Sequence, residues 1–202
     1  MKHRPQWALL ALGALIVVAL FTYPTWRRFL RGQAQAPAFQ LASDEQRDAL
    51  QKMRKDLAGT AYVAMLTVVP APTNEQPTPV LPDAQAIEGG KFAGLNPIQN
   101  TTGTITLYRS ANGSLLLRFE DFKTTNAPGL VVYLCGTADV KTKDDLSKGA
   151  LEVKLGPLKG SFGNQQYTTI PESLPLDRYK SVVIYSESLE LIYGVAELTP
   201  IR

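Results

Sequence analysis

The sequence predicts an all-β fold, an antiparallel β-sandwich domain preceded by an N-terminal transmembrane helix and a short amphipathic helix. Three observations predict it. From Thr102 onward, short apolar or alternating runs are separated by Gly, Pro and Asn turn signals, with no helical crossover pattern between them. Between Arg4 and Arg27 no charged residue occurs. Ser43-Asp44-Glu45-Gln46 then opens a stretch whose apolar residues recur at helical spacing.

Four regions follow from these patterns: a membrane anchor with basic flanks over 1–31, a helix-plus-strand extension over 32–69, a Pro-rich spacer over 70–86, and the β domain over 87–202. Trp7 to Phe21 contains no polar side chain, and as a helix rising about 1.5 Å per residue Trp7 to Trp26 spans roughly 30 Å, the thickness of a bilayer core. Trp7, Tyr23 and Trp26 stand at its two edges, where interfacial aromatics belong. A cleaved signal peptide would share the basic start, but the one small-x-small site, Ala34-Gln35-Ala36, lies far past the apolar run and precedes Pro37. An uncleaved signal anchor is therefore expected. Charge does not orient it, because Lys2 and Arg4 are balanced by Arg27, Arg28 and Arg31.

Dividing the charge along the chain excludes one class of partner. The formal net charge of +3 arises at the N-terminus, since Ile87 to Arg202 holds twelve bases and twelve acids. Nucleic-acid binding needs cations concentrated on the folded domain, so no nucleic-acid partner is expected.

Ser43 to Gln46 is a capping box with acids in the first turn, Leu50, Met53 and Leu57 follow at helical spacing, and Gly59 is a natural stop. Ala61 to Val69 has the β-branched and aromatic content of a strand, able to pair with the domain or with a second chain. Pro70 to Pro82 contains five prolines and reads as an extended spacer. In the β domain, strands are expected over Thr102–Arg109, Ser114–Phe122, Leu130–Cys135, Leu151–Leu155, Gln166–Ile170, Ser181–Glu187 and Glu190–Leu198. Asn112-Gly113 supplies a positive-φ pair closing the first hairpin, Phe122 falls on the face opposite Phe119, and Leu174–Lys180 reads as a short helical connection.

Candidate chemistry is sparse. Glu120 and Asp121 point to opposite faces of a strand and cannot act as an acid/base pair. Asp139, Asp144 and Asp145 are interleaved with Lys141, Lys143 and Lys148 at a spacing that matches no calcium loop, so a solvated loop is expected. His3 is the only histidine and lies beside the anchor, which leaves the β domain without an imidazole ligand or base. Cys135, the single cysteine, shares an apolar strand face with Val131 and Tyr133 and reads as a buried thiol rather than a reactive one. Gly156, Lys159, Gly160, Gly163, Asn164, Gln165 and Tyr167 form the candidate loop, either a backbone cradle for a ligand or a strained crossing of the sheet edge.

Seven pieces, in order, carry a family resemblance: Gly103-Thr104-Ile105, Leu116 to Phe122, Asn126-Ala127-Pro128-Gly129-Leu130, Val132-Tyr133-Leu134, Gly156 to Tyr167, Tyr179 to Tyr185, and Tyr193 to Leu198. Together they resemble the DM-thirteen domain, a DOMON-associated electron-transfer module, over roughly Glu88 to Thr199. The resemblance implies an all-β fold outside the cytoplasm and a redox role resting on one cysteine just after the Val-Val-Ile-aromatic run. In this chain that position is Ser186. Three functions are accordingly expected in this order: a membrane-anchored binding or assembly module without catalysis of its own, with a protein partner or a second copy; a redox component acting through Cys135 or a prosthetic group; and a site for a carbohydrate or other small ligand. No cofactor is expected from the residues; haem or a metal would enter only by analogy with the family.

Overall fold

A computed structural model describes residues 42–53, 55–75, 83–147 and 152–201. The expected membrane anchor lies outside the described residues, and among those described no helix is long and apolar enough to cross a membrane.

Helix α1 spans Asp44–Lys52, with Asp44 and Glu45 in its first turn and Arg47 paired to Asp44 at 3.1 Å. Instead of one helix stopping at Gly59, a second, α2, spans Lys55–Thr67 and buries Gly59 within it. The strand expected over Ala61–Val69 is therefore corrected to helix as far as Thr67. Its β-branched residues suggested a strand, but Ala58, Ala61 and Ala64 give strong helix formers at helical spacing, and all three are buried. Thr67 satisfies its hydroxyl on the Val63 carbonyl at 2.8 Å, and Pro70 follows as a stop.

The rest of the described chain is mostly β. Ten strands are β1 Pro72–Asn74, β2 Gln85–Ala93, β3 Thr101–Arg109, β4 Leu115–Thr124, β5 Leu130–Cys135, β6 Glu152–Pro157, β7 Phe162–Tyr167, β8 Ser181–Ser186, β9 Leu191–Glu197 and β10 Thr199–Pro200. They form one curled sheet of nine strands in the order β1-β7-β4-β3-β2-β9-β8-β5-β6, with β10 paired to β2. The pair β1·β7 is parallel and the other pairs are antiparallel. Strand β2 makes the bend: Gln85 to Lys91 pair with β3, and Phe92 and Ala93 pair with β9. Because β6 ends one side of the sheet and β7 lies next to the other, the four residues 158–161 must bridge its two edges. A link that short brings the edges within about 17 Å of each other, so the curl nearly closes on itself.

Several sequence readings shift with this topology. The spacer region contributes β1 and the start of β2. The hairpin from β3 to β4 turns through Ala111, Asn112 and Gly113, and only Gly113 has positive φ, at 92°; the Ser110 carbonyl accepts the Gly113 amide at 2.9 Å. This is a three-residue loop rather than the expected two-residue positive-φ pair. Strand β7 runs over Phe162–Tyr167, earlier than the expected 166–170. A bulge at Asp121, with φ of 50°, breaks the alternation of β4 opposite Gly103, whose φ is 118°. Phe122 consequently lies on the same side as Phe119, their rings stacked at 5.2 Å, instead of opposite it. Phe92 meets both edge-on at 5.1 and 5.4 Å, and Tyr167 lies 5.3 Å from Phe119, which makes the aromatic core.

Strand β5 lies between β8 and β6 and is buried on both faces. Val132, Leu134, Val182 and Ile184 are fully buried, while Cys135, Val183, Tyr185 and Ile192 form a second cluster with Val140 and Leu146. Val140 and Leu146 come from the long loop after β5. Within it, α3 (Lys143–Leu146) is held by the Asp145 carboxylate, which accepts the Thr142 amide at 2.9 Å and the Lys141 amide at 3.1 Å. The loop expected to be merely solvated thus has a capped turn and covers the strand face that carries Cys135.

Candidate functional site

The candidate loop is the segment that bridges the sheet edges. Gly156 lies near the end of β6 with φ of 135° and open space around it. A Cβ on Gly160 would stand 2.6 Å from the Ala71 carbonyl oxygen, and one on Gly163, where φ is 100°, would stand 2.1 Å from that of Thr73. The glycine concavity is therefore filled by the chain's own residues 71–73, whose strand β1 lies along β7. At Gly160 and Gly163 the loop is packed against neighbouring backbone.

Side chains hold the crossing in place. Gln165, fully buried, accepts from the Lys159 amide at 3.1 Å and from the Tyr167 hydroxyl at 2.9 Å, and its amide group donates to the Gly160 carbonyl at 3.1 Å. Tyr167 is buried, which pushes its phenol well above the ordinary value. The Lys159 ammonium stands 5.3 Å over the Tyr167 ring and bonds Glu75 at 2.6 Å. Glu75 also accepts the Gln166 amide at 2.6 Å. Asn164 turns toward β4, where its side-chain oxygen accepts the Asp121 amide at 3.1 Å across the bulge.

Beside this crossing lies a cavity of about 290 Å³ in the seam between the sheet edges. Val68, Val69, Ala127, Leu130 and Leu158 supply its apolar wall, and Lys159 to Ser161 its polar rim. Sequence reasoning isolated the Asn126–Leu130 turn and the loop separately but not their meeting, and it missed Val68 and Val69 as wall residues. The volume is at the lower end of the range for small-molecule pockets.

Ser186 supports the same turn from behind. It is fully buried at the end of β8, donates to the Pro128 carbonyl at 2.6 Å and accepts the Leu189 amide at 3.2 Å. The electron-transfer DM13 family model matches residues 91–198, just over half the chain. This chain belongs to the DM13 family. No match was found among curated proteins or among solved structures.

In this DM13 domain Cys135 does not stand in for the residue at 186. Strands β5 and β8 pair Leu130 with Ser186 and Cys135 with Ser181, so the two positions occupy opposite ends of the pair, about 17 Å apart at roughly 3.3 Å per residue. Cys135 is fully buried and its thiol is pushed up to about 12, first by desolvation and then by the Glu152 charge. The donor set around Ser186, a hydroxyl, a carbonyl and an amide, does not fit haem iron or a soft metal, which take imidazole, thiolate or thioether. Among the described residues no group of three or more His, Cys, Asp and Glu is placed to hold a metal ion.

Proposed function

We propose that this DM13 chain is a membrane-tethered, extracytoplasmic β-sandwich module that works by binding or assembly at the seam of its sheet, without cycling a thiol. The observation that carries the reading is Ser186: where the family resemblance calls for a cysteine, a hydroxyl is fully buried and uses its hydrogen bonds to close the Pro128 turn. Cys135 supports it from the other end of the same strand pair, since a thiol held neutral is a poor nucleophile and a poor metal ligand. The apolar wall beside the turn offers a partner side chain or a small apolar ligand a place to be buried. The tether rests on the charge-free run from Pro5 to Trp26, which matches a bilayer in length.

Two measurements test the reading. Visible absorbance and native thiol titration of the purified full chain should show no chromophore and a slowly reacting thiol; a haem or metal retained by wild type and lost in Cys135→Ala would move a redox component to first place. Protease added to sealed cells or spheroplasts should remove the β domain and leave an N-terminal membrane fragment. A domain protected until lysis would overturn the extracytoplasmic assignment.

A further inference from the structure

The face of β5 and β8 that carries Cys135 also carries a tyrosine whose hydrogen bond suits electron transfer without a thiol. Tyr133 lies between Cys135 and the Val131–Tyr185 pair on that face. Its hydroxyl donates to Glu187 Oε1 at 2.7 Å, and Lys154 bonds the same oxygen at 2.6 Å. Its ring meets that of Tyr185 edge-on at 6.1 Å, and Tyr185 is only 6% exposed. Tyr133 is half-buried, so one side of the ring reaches solvent while the other joins the packed cluster.

We infer that Tyr133 is a one-electron redox site, with Glu187 as its proton acceptor and Tyr185 as its inward neighbour, serving an outer-sphere one-electron oxidant that approaches the solvent-reaching side of the Tyr133 ring. The step balances within the named groups. The oxidant takes one electron from the Tyr133 phenol; the Oη–H bond breaks and an O–H bond forms on Glu187, leaving a neutral phenoxyl radical and a protonated carboxyl. Reduction by one electron returns the proton along the same 2.7 Å hydrogen bond.

The chemistry favours this tyrosine over others for a stated reason. A phenol that loses an electron without its proton becomes a strongly acidic radical cation, so an adjacent base lowers the cost of oxidation. Glu187 is such a base by position, its carboxylate accepting the Tyr133 hydroxyl at 2.7 Å; the Lys154 and Tyr133 hydrogen bonds lower its pKa, but a carboxylate is still far more basic than a phenol radical cation. Tyr167 instead donates to the Gln165 carboxamide, which does not take up a proton in this range, and it lies buried in the seam. The pair Tyr133–Tyr185 gives a hole a short path inward, and Cys135 belongs to the same packed cluster. The inference goes beyond the binding reading above and does not rest on it.

The test uses the full chain in detergent, photo-oxidised by a tris-bipyridyl ruthenium(III) complex, which is reduced to ruthenium(II) as it takes the electron. Freeze-trapped samples should give a neutral tyrosyl radical by electron paramagnetic resonance. Tyr133→Phe keeps the ring and its packing but should abolish most of that signal, whereas Tyr167→Phe should leave it. Glu187→Gln keeps the side-chain shape without a usable base and should slow radical formation about tenfold or more. Unchanged thermal unfolding of the two surface variants separates loss of the site from loss of the fold. A signal that survives Tyr133→Phe, or an oxidation rate indifferent to Glu187→Gln, would overturn the assignment.

Discussion

The two ends of the β5–β8 pair place a thiol and a hydroxyl in equally buried surroundings and hold them in opposite ways. At one end Ser186 donates to the Pro128 carbonyl and accepts the Leu189 amide, so its oxygen is part of the backbone's own hydrogen-bond accounting. At the other, Cys135 packs among Val140, Leu146, Val183, Tyr185 and Ile192, where its polarity has little to do. Burial alone therefore does not say what a residue is for: the serine fixes a turn, and the cysteine fills a gap. The turn that Ser186 fixes is also a wall of the seam cavity, so that end of the pair shapes a surface, while the Cys135 end is sealed by the loop carrying α3.

The largest expected effect is kinetic and tests the sealed end. With its thiol pushed up from 9.0 to about 12, Cys135 should react with an aromatic disulfide reagent at neutral pH about a thousandfold more slowly in the native protein than in denaturant, where the ordinary value returns. Rapid native labelling would mean that the loop over β5 opens freely. The comparison would then reverse, with the cysteine as the accessible group.

Reciprocal substitutions come next. Ser186→Ala leaves the Leu189 amide without its acceptor and should cost about 1–3 kcal/mol in denaturant unfolding. Cys135→Ala removes one buried heavy atom and should cost only about 1 kcal/mol. If the cysteine proved the costlier of the two, packing around it would matter more than the polar closure of the turn. Cys135→Ser should be worse than Cys135→Ala, because it places a hydroxyl in an apolar cluster.

Alkaline stability gives a smaller but more specific effect. The Cys135 thiol rises from 9.0 to about 12 on folding, so its neutral form is favoured in the native state. Its contribution is fully present below the unfolded value and is lost as pH climbs toward the folded one, at about 1.4 kcal/mol per pH unit. Tyr193 is also pushed up, from 10.0 to about 12, by burial. Tyr133, Tyr167 and Tyr185 are raised by burial as well, and all four phenols begin to join in as pH nears 10. Unfolding free energies between pH 9 and 10 should thus fall more steeply in wild type than in Cys135→Ala, which keeps only the phenols' share.

The sequence made the apolar strands legible and left their meeting hidden. Leu130–Cys135 and Ser181–Ser186 announce themselves through near-continuous apolar runs, the second buried throughout and the first everywhere but Leu130 and Tyr133. Strand β7 does not: Gly163, Asn164, Gln165 and Gln166 have little strand preference, and it is pairing with β4 and β1 that makes them extended. Helix α2 is hidden for the converse reason, Tyr62, Val63 and Thr67 with the valines just beyond it outweighing the alanine spacing that burial then rewards. The face of Phe122 depended on one bulged residue, Asp121, which no periodicity reveals. Most of the seam was out of reach, since nothing in a one-dimensional pattern says that residues 68–71 and 126–130 become neighbours. The Tyr133–Glu187 bond, from strand β5 to the turn that follows β8, is hidden in the same way.

The smallest expected effect concerns how β1 is held at the seam. Glu75 bridges the Lys159 ammonium and the Gln166 amide, but its side chain is 31% exposed and that of Lys159 42%, so water and salt screen the ion pair. Glu75→Gln keeps an oxygen for the amide and loses only the charge, and it should cost less than about 1 kcal/mol. β1 is also attached by its backbone pairing to β7, by the Thr73 hydroxyl on the Phe162 carbonyl, by Ser161 against Ala71 and by the close fit of Gly160 and Gly163 against residues 71–73, none of which needs the carboxylate. Unfolding of wild type in rising salt should therefore converge on that of Glu75→Gln, with the Cys135 labelling rate unchanged in both. A large, salt-independent loss would show that this one contact carries β1, and that the seam depends on charge rather than on the glycines packed beneath it.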